Sequence, residues 1–326
     1  MAGSIRHPRP TATEVEQARE VDLRDRIAGM LRVDAHRVFL AAGATSANAT
    51  VLHFLARRAR ASERRCRVKF PEYPPLYGTA AYLGLTPTQG EGPATVALVS
   101  QPRNPEGRRW SWRELVDWAE PARHLVVDET FREFSGSPSL AGRGRARTWV
   151  TGSFTKFFGA DDLRVGYAVV PETEIEEFER YVGLVTDSLP KYSIAGALAC
   201  LDALARLRTE VRRITDRNIT LLRAHLPAPA LAAPLYFDRV DGVPGDAVAR
   251  RCLKASVLVC PGSLFGDPTG VRICLTRRSF PRDFAAYLGV RERLLDRALR
   301  RSRAADRSNR ARPPHGASGR GRAAPA

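Results

Sequence analysis

Lysine, cysteine and long apolar runs are all scarce in this sequence of 326 residues. No apolar run approaches the roughly 18 residues that a membrane-spanning helix needs. The N-terminal stretch MAGSIRHPRPTATEVEQ also lacks the apolar core of a signal peptide. We therefore expect a protein without a membrane span, and a cytoplasmic location.

The five cysteines and six histidines have no spacing that indicates a disulfide framework or a metal site. The cysteine count is odd and no pair has CxxC spacing. The histidines show neither HxxxH nor HExxH spacing. We expect most cysteines to be buried apolar side chains and assign no metal.

The net charge is +17, and residues 301–326 alone carry seven arginines against one aspartate. Such a balance is typical of nucleic-acid binding. However, arginine has replaced lysine almost everywhere, which indicates an arginine-biased genome, and we do not expect nucleic acid as the main partner. The four remaining lysines therefore become candidates for a specific role: Lys69, Lys156, Lys191 and Lys254.

Apolar periodicity predicts helices and strands that alternate along the first two thirds of the chain. The predicted helices are 13–31, 47–58 and 112–120. The predicted strands are 38–40, 67–70, 95–100, 124–129, 148–154 and 166–170. This alternation predicts an α/β fold, with a sheet covered by helices on both faces.

The pattern changes towards the C-terminus. Residues 193–226 form one long helical pattern, and strand-like and helical runs after Pro227 indicate a smaller α+β unit. We predict a large domain over 36–226 and a small domain made of 1–35 plus 227–300. Residues 301–326 have almost no large apolar side chain, so we predict a disordered basic tail.

Polar residues with chemical potential follow the predicted strands. Lys156 follows a strand in SFTK, and Arg164 comes eight positions later. Asp128 ends the strand HLVVD, and Asn104 follows the strand TVALVS in QPRNPEG. Ligands of α/β sheets bind at the carboxyl ends of the strands, where these residues are expected.

One chemistry uses this set coherently. A lysine amine condenses with an aldehyde cofactor and, once released by substrate, acts as a base at the substrate α-carbon. An aspartate beside a pyridine nitrogen keeps that nitrogen protonated. A phosphate needs an arginine, hydroxyl groups and free N–H groups at a helix N-terminus. Arg164, Ser153, Thr155 and the turn at 43–45 are candidates for those donors.

The pattern SFTK, seven residues, then R-x-GY, supported by NPEG and VDE, resembles fold-type-I pyridoxal-phosphate enzymes of the class I/II aminotransferase group. The resemblance is strongest to the histidinol-phosphate aminotransferase and threonine-phosphate decarboxylase branch, over about residues 6–285. It implies a large domain with a mixed, mostly parallel sheet flanked by helices, plus a smaller α+β domain. It also implies a homodimer with the active site at the subunit boundary.

The resemblance implies roles around the ring of pyridoxal 5'-phosphate. Lys156 would bind the cofactor covalently and act as the catalytic residue. Asp128 would pair with the pyridine nitrogen, and Asn104 would bond the ring hydroxyl. Tyr73, in FPEYPPLY, matches the aromatic side chain that stacks on the ring.

The resemblance also implies how phosphate and substrate are held. Ser153 and Arg164 would bind the phosphate, with the backbone of Ala44 and Thr45 beneath it. Arg272, in GVRICLT, matches the arginine that binds the substrate α-carboxylate, for which a guanidinium is suited.

Four features depart from the family pattern. Phe131 stands where these aminotransferases usually carry a tyrosine that bonds the ring oxygen. His7 stands where a tyrosine reaches the partner's phosphate, and the usual N-terminal segment before Ile5 is short. Asp161 and Asp162 replace the common Pro-Gly or Ala-Gly.

We therefore interpret the chain as a transaminase that moves an amino group between an L-amino acid and a 2-oxo acid. An alternative on the same cofactor is decarboxylation of an amino acid such as a phosphorylated threonine, motivated by Phe131 and SFTKFF. A third reading, motivated by the short N-terminus, is a catalytically weak cofactor-binding or interaction protein. Arg272 predicts an α-carboxylate and does not identify the substrate side chain.

Overall fold

The computed structural model describes residues 12–143 and 145–310. Its α-helices are α1 (Ala12–Leu31), α2 (Ala44–Arg57), α3 (Pro74–Tyr82), α4 (Trp112–Ala119), α5 (Arg132–Ser135), α6 (Ile175–Val185), α7 (Lys191–Asp202), α8 (Leu204–Arg223), α9 (Gly245–Lys254) and α10 (Phe280–Arg310). Its strands are β1 (Val38–Ala41), β2 (Arg65–Val68), β3 (Thr86–Thr88), β4 (Ala94–Ser100), β5 (Ala122–Asp128), β6 (Thr148–Ser153), β7 (Gly166–Val169), β8 (Leu235–Arg239), β9 (Cys260–Pro261) and β10 (Gly270–Cys274). Short 3₁₀ turns cover Ala35–Arg37, Ala61–Glu63, Glu172–Glu174 and Gly262–Phe265.

Seven strands form one large sheet in the order β1-β7-β6-β5-β4-β2-β3. Pairing is parallel from β6 through β5, β4 and β2 to β3. Only β7 runs against its neighbours, β1 and β6. The expected fold class is confirmed, because this is a mixed, mostly parallel sheet with helices packed on it.

The central strands are buried because they are covered on both faces. All seven residues of β4 are buried, in keeping with the uninterrupted apolar character of ATVALVS. Val99 and Leu125 face one apolar core, whereas Leu98 and Val126 face a second core on the other side of the sheet. The sequence favoured strands here for the same reason, since β-branched runs pack well between helical layers.

Helix α1, which the sequence analysis placed in the small domain, packs against the first of these cores. Leu23, Ile27 and Leu31 are at most 3% exposed and pack with residues of the large sheet. The spacing of these residues predicted an apolar helix face, but it did not predict which surface that face would cover. The predicted domain division stays a prediction.

One further expectation differs from the structure. The helical pattern over 193–226 is divided into α7 and α8, which are separated at Ala203. Helix α10 continues to Arg310, into the predicted tail, and the disorder expected for residues 301–310 stays a prediction. Residues 311–326 of the predicted tail lie outside the described part of the chain.

The C-terminal unit has its own antiparallel sheet, in the order β8-β10-β9. Its core contains Val248 from α9, Val271 from β10 and Tyr287 from α10. The backbone N–H groups of Ala232 and Ala233 donate to the carbonyl of Gly107 and join this unit to the loop after β4. No helix within residues 12–143 and 145–310 is long and apolar enough to cross a membrane.

His124 on β5 is a buried titratable group. Its Nδ1 accepts a hydrogen bond from Trp149 Nε1 at 3.2 Å. Burial of the ring, together with the positive charges of Arg123 and Arg147, lowers the pKa of His124 from 6.5 to about 3. Below pH 6.5 the unfolded chain therefore binds a proton at this histidine that the folded chain does not bind. As a result, the free energy of unfolding decreases as the pH is lowered.

We expect His124→Gln to flatten this acid loss of stability. The slope of the unfolding free energy against pH should become shallower by up to about 1.4 kcal/mol per pH unit, over the window from 6.5 to about 3. Denaturant unfolding at a series of pH values measures the slope, and His225→Gln, an exposed histidine, is the matched control. Equal slopes for wild type and His124→Gln would contradict the prediction, even if the variant is less stable at every pH.

Candidate active site

A cavity of about 440 Å³ opens at the carboxyl edge of the large sheet, against β10 of the small unit. Eight of the nine predicted site residues line it: Ala44, Thr45, Tyr73, Asn104, Asp128, Lys156, Arg164 and Arg272. They come from positions spread over 229 residues of sequence, between Ala44 and Arg272. Parallel strands produce this gathering, because their carboxyl ends meet at one edge.

The N-terminus of α2 forms one wall of the cavity. The helix begins at Ala44 after Gly43, which has φ 89° and ψ 168°. Such a backbone conformation is essentially restricted to glycine. The first N–H groups of a helix have no partner inside the helix, so Ala44 and Thr45 present donors there.

Arg164 packs directly against this turn. Its Nη2 lies 3.4 Å from the carbonyl oxygen of Ala42, and a Cβ added to Gly43 would lie 2.9 Å from the same nitrogen. Gly166 at the start of β7 is equally constrained, because its own Cβ would come within 2.4 Å of the Gly43 carbonyl carbon. Two glycines therefore let a guanidinium and a helix N-terminus meet, which is a cradle suited to a phosphate.

Ser153 is the predicted residue that does not line the cavity. It is the last residue of β6, and its hydroxyl shares a hydrogen bond of 2.7 Å with the Thr155 hydroxyl. Thr155 does line the cavity. Contact between Ser153 and the phosphate stays a prediction, while Thr155 offers a hydroxyl nearer to the space.

Asp128 ends β5 and is only 5% exposed. Its Oδ1 accepts a hydrogen bond from the Thr130 backbone N–H at 2.9 Å. Its Oδ2 accepts one from the Asn48 amide at 2.9 Å. An ionised carboxylate offers only acceptors, so both contacts suit a charged aspartate in the floor of the cavity.

Arg272 and Asn104 lie within hydrogen-bond distance of each other. The Arg272 Nη1 donates to Asn104 Oδ1 at 2.9 Å, and Nη2 lies 3.4 Å from Cys260 Sγ. The guanidinium also stands 4.9 Å from the centre of the Phe265 ring. Its Nε is buried without a hydrogen-bond partner in the described chain, so the group retains an unused donor.

Lys156 and Tyr73 approach the cavity from loops. Lys156 follows β6, is exposed, and its ammonium has no ion-pair partner among residues 12–143 and 145–310. Tyr73 immediately precedes α3 and is partly buried. Among the residues that the structure describes, neither side chain makes a polar contact, which leaves both able to adjust to a ligand.

A buried charged group below the cavity was missed by the sequence analysis. Glu72 is fully buried and accepts hydrogen bonds from the backbone N–H and the hydroxyl of Ser100, at 2.9 and 2.5 Å. Arg103 Nη1 lies 3.3 Å from the same carboxyl. Burial raises the pKa of Glu72, an effect that Arg103 and the Ser100 donors oppose. Ser100 itself lines the cavity, so this pair supports its wall.

The departures from the family pattern also fall near the cavity. Phe131 lines it and stacks on Phe134, with ring centroids 6.0 Å apart. Asp161 and Asp162 are both exposed, and of the two only Asp161 lines the cavity. The proposed contribution of His7 lies outside the described residues.

The absence of a bound metal stays a prediction. Asp34, His36 and Glu172 bring possible ligand atoms within 4.8 Å of one another. All three are exposed, and His36 Nε2 already lies 2.8 Å from Glu172 Oε1. None of them lines the cavity described above.

A comparison with protein families matches residues 81–279 to aminotransferase class I and II. The aspartate aminotransferase of Thermococcus kodakarensis is 28% identical over 198 residues, which cover 58% of this chain and 54% of that protein. The histidinol-phosphate aminotransferase of Haloferax volcanii is 30% identical over 188 residues, which cover 55% of this chain and 50% of that protein. The matched region thus spans about half the length of these two relatives.

A solved structure resembles the chain over a larger share. It is the L-threonine-O-3-phosphate decarboxylase from Porphyromonas gingivalis, with a TM-score of 0.64 and 20% identity, covering 82% of this chain and 87% of that one. At this identity the likeness concerns the fold alone.

The Gly43 cradle generates a prediction. We expect Gly43→Ala to lower the free energy of unfolding by about 1–3 kcal/mol, since its backbone conformation is disfavoured for a residue with a Cβ. The added carbon also displaces Arg164, so the thermal stabilisation produced by inorganic phosphate should diminish. Denaturant unfolding and thermal unfolding with and without phosphate measure the two effects.

Gly29→Ala is the matched control, because an added Cβ at Gly29 has nothing within 4 Å. Gly29 lies within α1, where alanine should leave stability unchanged or raise it by about 0.5–1 kcal/mol. If Gly43→Ala behaved like this control in both measurements, the cradle would not have the role assigned to it.

Proposed function

Because the chain belongs to the class I and II aminotransferases, we propose that it moves an amino group between an L-amino acid and a 2-oxo acid. Membership confirms the family that the SFTK, NPEG and VDE motifs indicated. The cofactor of this family is pyridoxal 5'-phosphate, which when bound withdraws electrons from the substrate α-carbon. The observation that carries the proposal is the meeting of Lys156, Asp128 and Arg272 in one cavity.

Lys156 is the residue to which we assign covalent attachment and proton transfer. Its amine lies in the cavity without an ion-pair partner in the described chain. An amine held there can attach the cofactor, leave it when a substrate amine arrives, and then carry a proton at the α-carbon. No other lysine lines this cavity.

Asp128 and the cradle hold the two charged parts of the cofactor in this proposal. The Asp128 carboxylate, fixed by Thr130 and Asn48, would pair with the ring nitrogen of the bound cofactor and keep it protonated. Arg164 and the N–H groups of Ala44 and Thr45 bind the phosphate. Ser153 and Thr155 supply hydroxyl donors beside them.

Arg272 and Asn104 orient the substrate and the ring. The guanidinium presents parallel N–H donors that match both oxygens of an α-carboxylate. Its bond to Asn104 Oδ1 leaves the Asn104 amide nitrogen able to donate to the ring hydroxyl of a bound cofactor. Tyr73, which lines the same cavity, would stack on the ring. Substrates that lack the carboxylate should therefore bind poorly.

A second candidate reaction is decarboxylation of an amino acid on the same cofactor. Phe131 favours it, because a phenylalanine lines the cavity where a tyrosine hydroxyl is usual for the transaminases. The missing hydroxyl removes one hydrogen bond to the ring, of about 0.5–1.5 kcal/mol. A protein that binds the cofactor without efficient turnover is the third outcome that the assays below distinguish.

We also propose that the chain acts as a homodimer. Large apolar side chains are exposed where α6 ends and α7 begins, with Leu184 86% and Tyr192 79% exposed. Large exposed apolar side chains are candidates for a protein interface. A cytoplasmic location remains a prediction.

We expect Lys156→Ala to lose the visible absorbance that pyridoxal 5'-phosphate gains when a lysine amine binds it. Borohydride reduction of the wild-type protein should leave the cofactor attached to the peptide that contains Lys156, as mass spectrometry would detect. Lys191→Ala is the control, since Lys191 is exposed at the start of α7 and pairs with Glu16. If wild type with added cofactor gains no visible band, transaminase and decarboxylase proposals both fail.

Product analysis separates the two reactions. Purified holoenzyme is incubated with single amino acids and a 2-oxo acid, and both new oxo acid and carbon dioxide are measured. Formation of the oxo acid is expected. Release of carbon dioxide without oxo acid would replace transamination with decarboxylation, and cofactor binding without either product would favour the binding protein.

The proposed dimer is tested by replacing the exposed side chains of Leu184 and Tyr192 with charged ones. We expect wild type to sediment as a dimer and the double variant Leu184→Glu, Tyr192→Glu to shift towards monomer, because carboxylates would have to be desolvated at the interface. Leu253→Glu on α9, where the leucine is 64% exposed, is the control and should remain dimeric. A monomeric wild type would contradict the proposal.

A further inference from the structure

Asn48 is a buried polar residue beside the cavity, and its side chain contacts Asp128. It lies on the first turn and a half of α2 and is 2% exposed. Its Nδ2 donates to Asp128 Oδ2 at 2.9 Å, and its Oδ1 accepts from the Thr151 hydroxyl at 2.6 Å. Thr151 has no exposed surface and stands directly opposite Asp128 in the pairing of β5 with β6. The three side chains form a buried chain of hydrogen bonds from Thr151 through Asn48 to Asp128.

The direction of these hydrogen bonds follows from the charge on Asp128. An ionised carboxylate can only accept, so the amide nitrogen of Asn48 has to face it. The amide oxygen then faces Thr151, whose hydroxyl is left to donate. With the amide turned the other way, two acceptors would meet in a buried space, which costs the desolvation of an unsatisfied group. Each member therefore fixes the orientation of the next.

Asn48 also connects the two ends of the proposed cofactor site. It is four residues after Ala44 on the same helix, so it lies one turn below the N–H groups assigned to the phosphate. Its amide reaches the carboxylate assigned to the ring nitrogen. One short helical segment thus sets both the phosphate cradle and the ring acid.

We propose that Asn48, oriented by Thr151, is a positioning residue that holds the Asp128 carboxylate aimed at the cofactor ring. This inference rests on the proposed function. Asn48 itself does not line the cavity, so it acts through Asp128. Thr130 supplies the second donor to Asp128, so loss of Asn48 should weaken the site and not abolish it.

The test uses full-length protein titrated with pyridoxal 5'-phosphate and followed by visible absorbance. Asn48→Leu removes the amide at similar size. We expect it to weaken cofactor binding about tenfold to a hundredfold, the range for one hydrogen bond to a charged group. Thr151→Val should weaken binding in the same direction, because it frees the Asn48 amide to turn. Thr151→Ser keeps the hydroxyl and should restore binding to within about twofold.

A double-mutant cycle separates positioning from packing. In an Asp128→Asn background the carboxylate charge is gone, so Asn48→Leu should cost about twofold or less if it acts through that charge. An equal loss in both backgrounds would show that Asn48 supports only the packing of α2 and would overturn the inference.

Stabilisation by inorganic phosphate is a second measurement, and it does not require a double variant that still binds the cofactor measurably. Asn48→Leu should keep the thermal stabilisation by phosphate while losing cofactor affinity, since the cradle stays in place. A parallel loss of both would overturn the inference in favour of a displaced α2. If wild type fails to bind the cofactor at all, the proposed function fails; if wild type binds and Asn48→Leu binds equally well, only this inference fails.

Discussion

The site depends on one structural constraint, which is the parallel pairing of β4, β5 and β6 between two apolar cores. Parallel strands covered on both faces end at the same edge, and in this chain that edge is where polar residues begin. Ser100 pairs with Asp128, and Asp128 pairs with Thr151, across three adjacent strands. Because the strands cannot slip without moving apolar side chains out of their cores, the spacing of these polar groups is fixed by packing and not by the ligand.

The one strand that runs against its neighbours completes the site. Since β7 is antiparallel, its first residues enter at the edge where the other strands leave, and this places Arg164 beside the N-terminus of α2. The contact requires two glycines, Gly43 and Gly166, at distances that a Cβ would fill. A phosphate cradle here is thus a consequence of topology combined with two missing side chains.

Much of this could be predicted from the sequence, and what was missed has a common cause. Apolar runs indicated β4, β5 and β6, and the residues after them indicated the site. The partners that orient those residues were not predicted: Asn48 is 80 residues from Asp128 and Glu72 is 28 from Ser100. Local patterns report which face of an element is apolar, but not which distant element covers it. The packing of helix α1 against the large sheet was not predicted for the same reason.

The chain is rich in arginine and poor in lysine, yet position 156 is a lysine because the proposed reaction needs an amine. Arginine serves wherever this chain needs a fixed charge with several donors, as at Arg164 and Arg272, because guanidinium stays protonated and binds two oxygens at once. A guanidinium cannot readily give up its proton and form a bond to an aldehyde carbon, whereas an amine can. A chain that has replaced lysine almost everywhere could therefore not do so at position 156 and keep the proposed function.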